Sequence, residues 1–121
     1  KIYVQAMAKI SKQFDVVGFN NTGYGLKNLN RAKEKVEFRI NNPLKPQAIF
    51  ELMQKESGFT DEQMYSTFNM GMGFFAVCDK DDAEDILQIA KDSDVVGEVR
   101  KSSKKITILE KNNKKIVFEG Y

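Results

Sequence analysis

The sequence predicts an α/β (α+β) fold, a mixed sheet with helices packed on it. Apolar residues recur at helical spacing in some segments and alternate at strand spacing in others. The two kinds of segment interleave along the chain and finish in a hairpin pattern. The third observation is size: 121 residues with 41% hydrophobic content suit one domain with one core.

Each element follows in order. Tyr3, Met7, Ile10 and Phe14 fall at helical spacing, which predicts an amphipathic helix over 2–14. Asp15-Val16-Val17-Gly18-Phe19 reads as a short buried strand. The polar, Gly-rich turn Asn20-Asn21-Thr22-Gly23-Tyr24-Gly25 leads into a short helix through Asn28 and Arg31. Val36, Phe38 and Ile40 alternate with Glu37 and Arg39, the pattern of a half-buried strand. Pro46 stands where a first helical residue is favoured. Ile49, Phe50 and Met53 form the stripe of that helix, and Gly58 is its expected stop.

Thr60 and Gln63 have capping-box spacing for a helix through Tyr65. Phe74-Phe75-Ala76-Val77-Cys78 is an unbroken apolar run and reads as a central strand. Asp79 or Asp81 is the expected cap of a helix over 82–91 that packs on the sheet through Ala83, Ile86, Leu87 and Ala90, with Lys91 at its end. Residues 95–99 read as another strand. Ile106 and Ile108, then Ile116 and Phe118, flank Asn112-Asn113, a type I′ hairpin turn.

Composition excludes several functions. The 19 basic and 17 acidic residues nearly cancel, which argues against a dedicated nucleic-acid binder. No apolar stretch approaches membrane-spanning length, and no signal peptide is visible. The chain has no His, so a Ser-His-Asp triad, a His-paired catalytic Cys and a conventional zinc site are excluded. The lone Cys78 rules out an internal disulfide and fits a reducing cytoplasm. The absence of an initial Met fits a fragment or a processed chain.

Two segments carry candidate chemistry. Thr22-Gly23-Tyr24-Gly25 precedes Leu26-Lys27-Asn28-Leu29-Asn30-Arg31. Its glycines allow close backbone approach to a ligand, and Lys27 and Arg31 are placed to meet an anion. On spacing alone an ordinary strand–helix turn is the favoured explanation over ligand binding. Thr67-Phe68-Asn69-Met70-Gly71-Met72-Gly73 reads either as a bulge ahead of a strand or as an amide platform facing a substrate. The acidic run Asp79–Asp85 has neither the glycine nor the closing glutamate of a calcium loop, so helix capping explains it. Arg100–Lys105 reads as a solvated turn, Met64, Met70 and Met72 as packing residues, and Cys78 as an inert buried thiol.

These two segments resemble a known family. Thr22-Gly23-Tyr24-Gly25-Leu26, Asn28-Leu29 and Arg31 resemble the Thr-Gly-Gly-Gly loop, with its following Asn and Arg, of aminoimidazole ribonucleotide synthetase, also called phosphoribosylformylglycinamidine cyclo-ligase. Residues Glu62–Gly73 are similar to its Glu-Met-x-x-Thr-Phe-Asn-x-Gly-x-Gly signature. Lys1–Val4, Pro46 and Val96-Gly97-Glu98-Val99 fall in the expected order around them. The chain departs from the pattern at Tyr24, which replaces the middle glycine, at Asn20, which replaces the usual His, and by one residue missing before Asn28.

The resemblance implies that residues 1–121 form a single C-terminal domain, separate from an N-terminal ATP-binding domain. It further implies an ATP- and Mg2+-dependent cyclo-ligase of purine biosynthesis, homodimeric when full length and cytoplasmic, acting on a phosphoribosyl small molecule. Nucleotide and metal contacts would come mainly from the N-terminal domain, and the isolated chain would be inactive. Thr22, Gly23, Gly25, Asn28 and Arg31, with Asn69 and Gly71, are the implied substrate- or nucleotide-binding residues, and no metal ligand is assigned. A related protein with another ATP-dependent substrate, or a non-catalytic assembly module, are the alternatives.

Overall fold

The computed structural model describes residues 4–32 and 34–119. Helix α1 (Val4–Gln13) leads into strand β1 (Val16–Asn20), a 3-10 helix (Gly25–Arg31) and β2 (Val36–Ile40). Helices α2 (Ala48–Ser57) and α3 (Asp61–Thr67) follow, then β3 (Phe74–Cys78). A 3-10 turn (Lys80–Asp82) opens α4 (Ala83–Ile89), and β4 (Gly97–Lys101), β5 (Ile106–Lys111) and β6 (Lys114–Glu119) complete the chain. Tyr3, assigned to the first helix by its spacing, lies outside the described residues.

The strands form two sheets. Four of them assemble in the order β4-β2-β5-β6, with β2 and β5 parallel and the other neighbours antiparallel. The remaining pair, β1 and β3, makes an antiparallel ribbon in which Asn20 faces Phe74 and Val16 faces Cys78. This α+β arrangement of a mixed sheet with helices matches the expected fold class.

One strand assignment is corrected. Phe74–Cys78 is a strand but not a central one, because among the described residues it pairs with β1 alone. Ala76 is exposed, and Phe74, Val77 and Cys78 are half-buried. An apolar run reports burial tendency, not the number of neighbouring strands. The interior strands of the larger sheet are β2 and β5; in β5, flanked by β2 and β6, Ile106, Thr107, Ile108 and Leu109 are all buried.

Local signals explain most boundaries. Thr60 Oγ1 accepts from Gln63 N at 3.2 Å while Gln63 Oε1 accepts from Thr60 N at 2.9 Å, a complete capping box. Gly58 ends α2 in the left-handed conformation, its amide donating to Gln54 O. Asn112 and Asn113 both have positive φ in a turn that pairs Lys111 with Lys114, as a type I′ hairpin requires.

Other signals were displaced. Pro46 precedes the Gln47 cap of α2 rather than opening the helix, and Ile49 is exposed because only the Phe50–Met53 stripe packs inward. Neither Asp79 nor Asp81 caps α4 through its side chain, since the 3-10 turn intervenes. Helix α4 stops before Lys91 and packs against α1. The fourth strand begins at Gly97, two residues later than expected, because Val96 O is taken by the amides of Asn41 and Asn42.

The core places the 3-10 helix at the centre of the domain. Leu26 and Leu29 from that helix join Phe38, Ile40, Met64, Tyr65, Met70, Met72, Phe75, Leu109 and Phe118 in one buried cluster. The 3-10 helix touches α3, β1, β5 and β6. Asn30 fastens it to the large sheet, donating from Nδ2 to Phe118 O at 3.0 Å and accepting at Oδ1 from Thr107 Oγ1 at 2.9 Å. The methionines at 64, 70 and 72 are packing residues, as their sequence context suggested.

Candidate ligand-binding site

The ribbon brings the two glycine-bearing segments together. Because β1 and β3 run antiparallel, the loop that leaves β1 lies beside the turn that enters β3. Asn21 joins them. Its backbone N donates to Gly73 O at 3.0 Å, and its side-chain Nδ2 donates to Met72 O at 2.8 Å and to Asn69 O at 3.4 Å.

Within the first loop the polar groups divide by position. Thr22, Gly23 and Tyr24 are exposed, whereas Gly25, Leu26, Asn28, Leu29 and Asn30 are buried. Asn28 faces inward and clasps its own loop, donating from Nδ2 to Gly25 O at 2.8 Å, Gly23 O at 2.9 Å and Thr22 O at 3.4 Å. Two amides of this segment are committed within it: Gly25 N donates to Thr22 O and Lys27 N to Tyr24 O. Gly25 has φ +54, and a Cβ there would lie 1.9 Å from Tyr65 O. Only glycine fits this approach between loop and α3. Arg31 is exposed at the end of the 3-10 helix.

The second segment spends its polar groups on itself and its neighbours. Asn69 Oδ1 accepts from Gly71 N at 3.0 Å, closing a tight side-chain turn. Met70 and Gly71 both have positive φ. A Cβ on Gly71 would meet Lys45 O at 3.3 Å and the Pro46 Cα at 3.4 Å. Gly25 and Gly71, expected to face one ligand, therefore pack against different neighbours.

Two side chains were not singled out by sequence reasoning. Asn21 is 2% exposed, and its Oδ1 has no hydrogen-bond partner among the described residues. A buried acceptor left in this state costs stability. An asparagine in a polar run gives no hint that it will be buried, so spacing had no way to find it. Tyr65 is also buried, and its hydroxyl has no described partner. Burial, reinforced by the charge of Asp61, pushes its ionisation above the ordinary tyrosine range. Lys111 Nζ lies 5.3 Å from the Tyr65 ring centre and 3.6 Å from Asp61.

Two surface depressions lie elsewhere. One is the hairpin end around Asn112 and Asn113, and the other is bounded by Met53, Phe59 and Phe68. Thus the candidate site is an exposed loop tip on a buried, hydrogen-bonded base, not an enclosed pocket. Such a surface needs a facing wall to surround a ligand.

Fold and site define an α+β domain that presents a strapped glycine loop at the open end of a two-strand ribbon. The chain belongs to the AIR synthase related protein C-terminal domain family, whose model matches residues 2–110. It is 37% identical to a phosphoribosylformylglycinamidine cyclo-ligase of Methanococcus maripaludis strain S2, over 98% of this chain and 38% of that protein. It is 39% identical to the protein of the same name from Methanosarcina mazei, over 84% of this chain and 30% of the relative. The Methanopyrus kandleri protein of that name is 31% identical over 82% of this chain. The chain thus spans between 30% and 38% of the length of these relatives.

Proposed function

We propose that this chain is the C-terminal domain of an ATP-dependent cyclo-ligase that converts formylglycinamidine ribonucleotide to aminoimidazole ribonucleotide. The observation that carries the reading is the family match over residues 2–110, joined to relatives that share one enzyme name. Because those relatives are much longer, the remaining catalytic parts belong to an N-terminal ATP-binding domain in a full-length cytoplasmic homodimer.

In this reaction the substrate amide oxygen takes the terminal phosphoryl group of ATP. The neighbouring amine nitrogen then attacks the activated carbon, loses a proton and expels phosphate as the ring closes. The burden on the protein is to position two reactants and offset phosphoryl charge. In this domain the Thr22 hydroxyl, the Gly23 backbone and the Arg31 guanidinium face the ligand. Gly25, Asn28, Asn69 and Gly71 hold the shape of the loops that present it.

The described residues do not fit a magnesium site, since no group of three or more His, Cys, Asp or Glu side chains is suitably placed. The metal is therefore assigned to the remainder of the protein.

The test is to purify the full-length protein and the 121-residue chain and follow ADP release with formylglycinamidine ribonucleotide. The full-length protein should release ADP only with that substrate, and the isolated chain should be inactive. Turnover with a different substrate alone, or magnesium-dependent phosphate release by the isolated chain, would refute the reading.

A further inference from the structure

We propose that the apolar outer face of α2 is the surface on which the N-terminal part of the full-length polypeptide docks. The inference rests on the reading of this chain as one domain of a longer enzyme, and it names where the other part sits.

The first ground is the width of the apolar stripe. Helix α2 has ten residues and none of them is fully buried. Ile49, Leu52, Met53 and Glu56 follow one another at spacings of three, one and three, which places them on one face. Phe50 and Met53 hold one margin of the stripe against the core, and the Phe50 ring centre lies 6.1 Å from that of Phe68. Ile49 and Leu52 hold the other margin and are 55% and 53% exposed. Glu51 and Lys55, one turn apart, mark the solvated side of the helix. The stripe is therefore wider than this core uses.

The second ground is the groove beside it. A depression of about 430 Å3 is bounded by Met53, Glu56, Ser57, Phe59 and Phe68. Phe59 is 38% exposed. Two aromatic rings and a methionine form most of this wall, with Glu56 its one charge. The buried centres of protein interfaces have this composition, rich in aromatic residues and Met and poor in charge. A single exposed leucine needs no partner, whereas a stripe continuous with an apolar groove marks an interaction surface.

The third ground decides the occupant. This chain makes up between 30% and 38% of the length of its relatives, so more polypeptide lies outside it than within it. A domain joined to this one by the chain is held at high effective concentration beside it, ahead of a free partner. The patch also runs on into the candidate site. Phe68 directly precedes Asn69, and Gly71 sits against Lys45 and Pro46, just ahead of α2. A domain seated on α2 thus stands beside the loops, where a facing wall is needed to enclose a ligand.

The experiment replaces Leu52 of the full-length protein by the photoreactive residue p-benzoylphenylalanine. Light and heavy isotope forms are mixed and allowed to assemble, and the products of irradiation are mapped by mass spectrometry. The expected product joins position 52 to polypeptide outside the 121 residues, within one isotope form. A product that mixes the forms assigns the face to a second copy and overturns the proposal. Products confined to the 121 residues, or none, leave the face in solvent and also overturn it. A second measurement avoids the added bulk. Leu52→Asp should lower the unfolding midpoint of the full-length protein by at least about 2 °C, whereas Lys55→Asp on the solvated side should leave it within about 1 °C. An unchanged midpoint with Leu52→Asp, or equal shifts for the two variants, contradicts the docking face. ADP release with formylglycinamidine ribonucleotide, followed on the wild type, keeps the two readings apart. The expected cross-link without that activity sinks the cyclo-ligase reading alone, and activity without the cross-link sinks the docking face alone.

Discussion

The loops at the open end of the ribbon are built from similar residues, yet they do different work. Thr22–Gly25 turns its tip outward on a buried base, whereas Asn69–Gly73 uses its side-chain and backbone groups to close a turn and hold its neighbour. The difference lies in what each asparagine touches. Asn28 clasps three carbonyls beneath an exposed tip, and Asn69 is consumed by the amide of Gly71. Similar composition thus gives one presenting loop and one supporting loop, and the partners of the polar atoms tell them apart.

The base of the presenting loop should be the least tolerant place. Gly25→Ala forces a Cβ into the backbone of Tyr65 at a left-handed position, so a loss of about 2–5 kcal/mol is expected in chemical denaturation. A loss under about 1 kcal/mol would mean that the base yields, and the contrast with the tip would fail. Asn28→Ala leaves the carbonyls of Thr22, Gly23 and Gly25 without their amide donor. That should cost about 1–3 kcal/mol.

The supporting loop should respond more mildly. Gly71 has φ +89, but its would-be Cβ contacts are ordinary or only slightly tight. Gly71→Ala should therefore cost mainly the left-handed penalty, about 1–2 kcal/mol. A larger cost than for Gly25→Ala would reverse the assignment of the loops.

Cys78 gives the smallest effect and a reference point, since it pairs with Val16 at the end of the ribbon away from both loops. Burial pushes its thiol up, with Asp82 and Asp79 adding to the rise. The folded chain therefore holds that proton more tightly than the unfolded chain. Its contribution to stability is complete below the ordinary thiol value of 9.0 and fades as pH rises through the higher folded value. At pH near 8 a disulfide reagent should react more slowly with folded protein than with urea-unfolded protein. Equal rates would place the thiol in open solvent.

Local chemistry was well marked in the sequence. The Thr60–Gln63 box, the Gly58 stop and the Asn112–Asn113 turn depend on residues within a few positions of one another, so their signals are complete in a short window. The rank of β3 in the sheet depends on which strand pairs beside it, which no window contains. The site divides the same way. Gly25 was recognisable as a special position, but its reason, the carbonyl of Tyr65, lies 40 residues further along the chain. Asn28 was assigned to ligand by the company it keeps, whereas the structure turns its amide inward. Asn21 left no trace because its partners, Met72 and Asn69, are distant in sequence.

The separation of a stabilising base from a functional tip is tested most directly by the kcat/KM of full-length Thr22→Ala, measured with its unfolding midpoint. Thr22 is exposed, and the loop bonds from Asn28 Nδ2 and Gly25 N are accepted by its backbone carbonyl, which Thr22→Ala keeps. The expected result is a fall in kcat/KM of at least about tenfold, or about 1.4 kcal/mol of lost transition-state stabilisation, at an unchanged midpoint. An unchanged kcat/KM would contradict the assignment of the tip to the ligand.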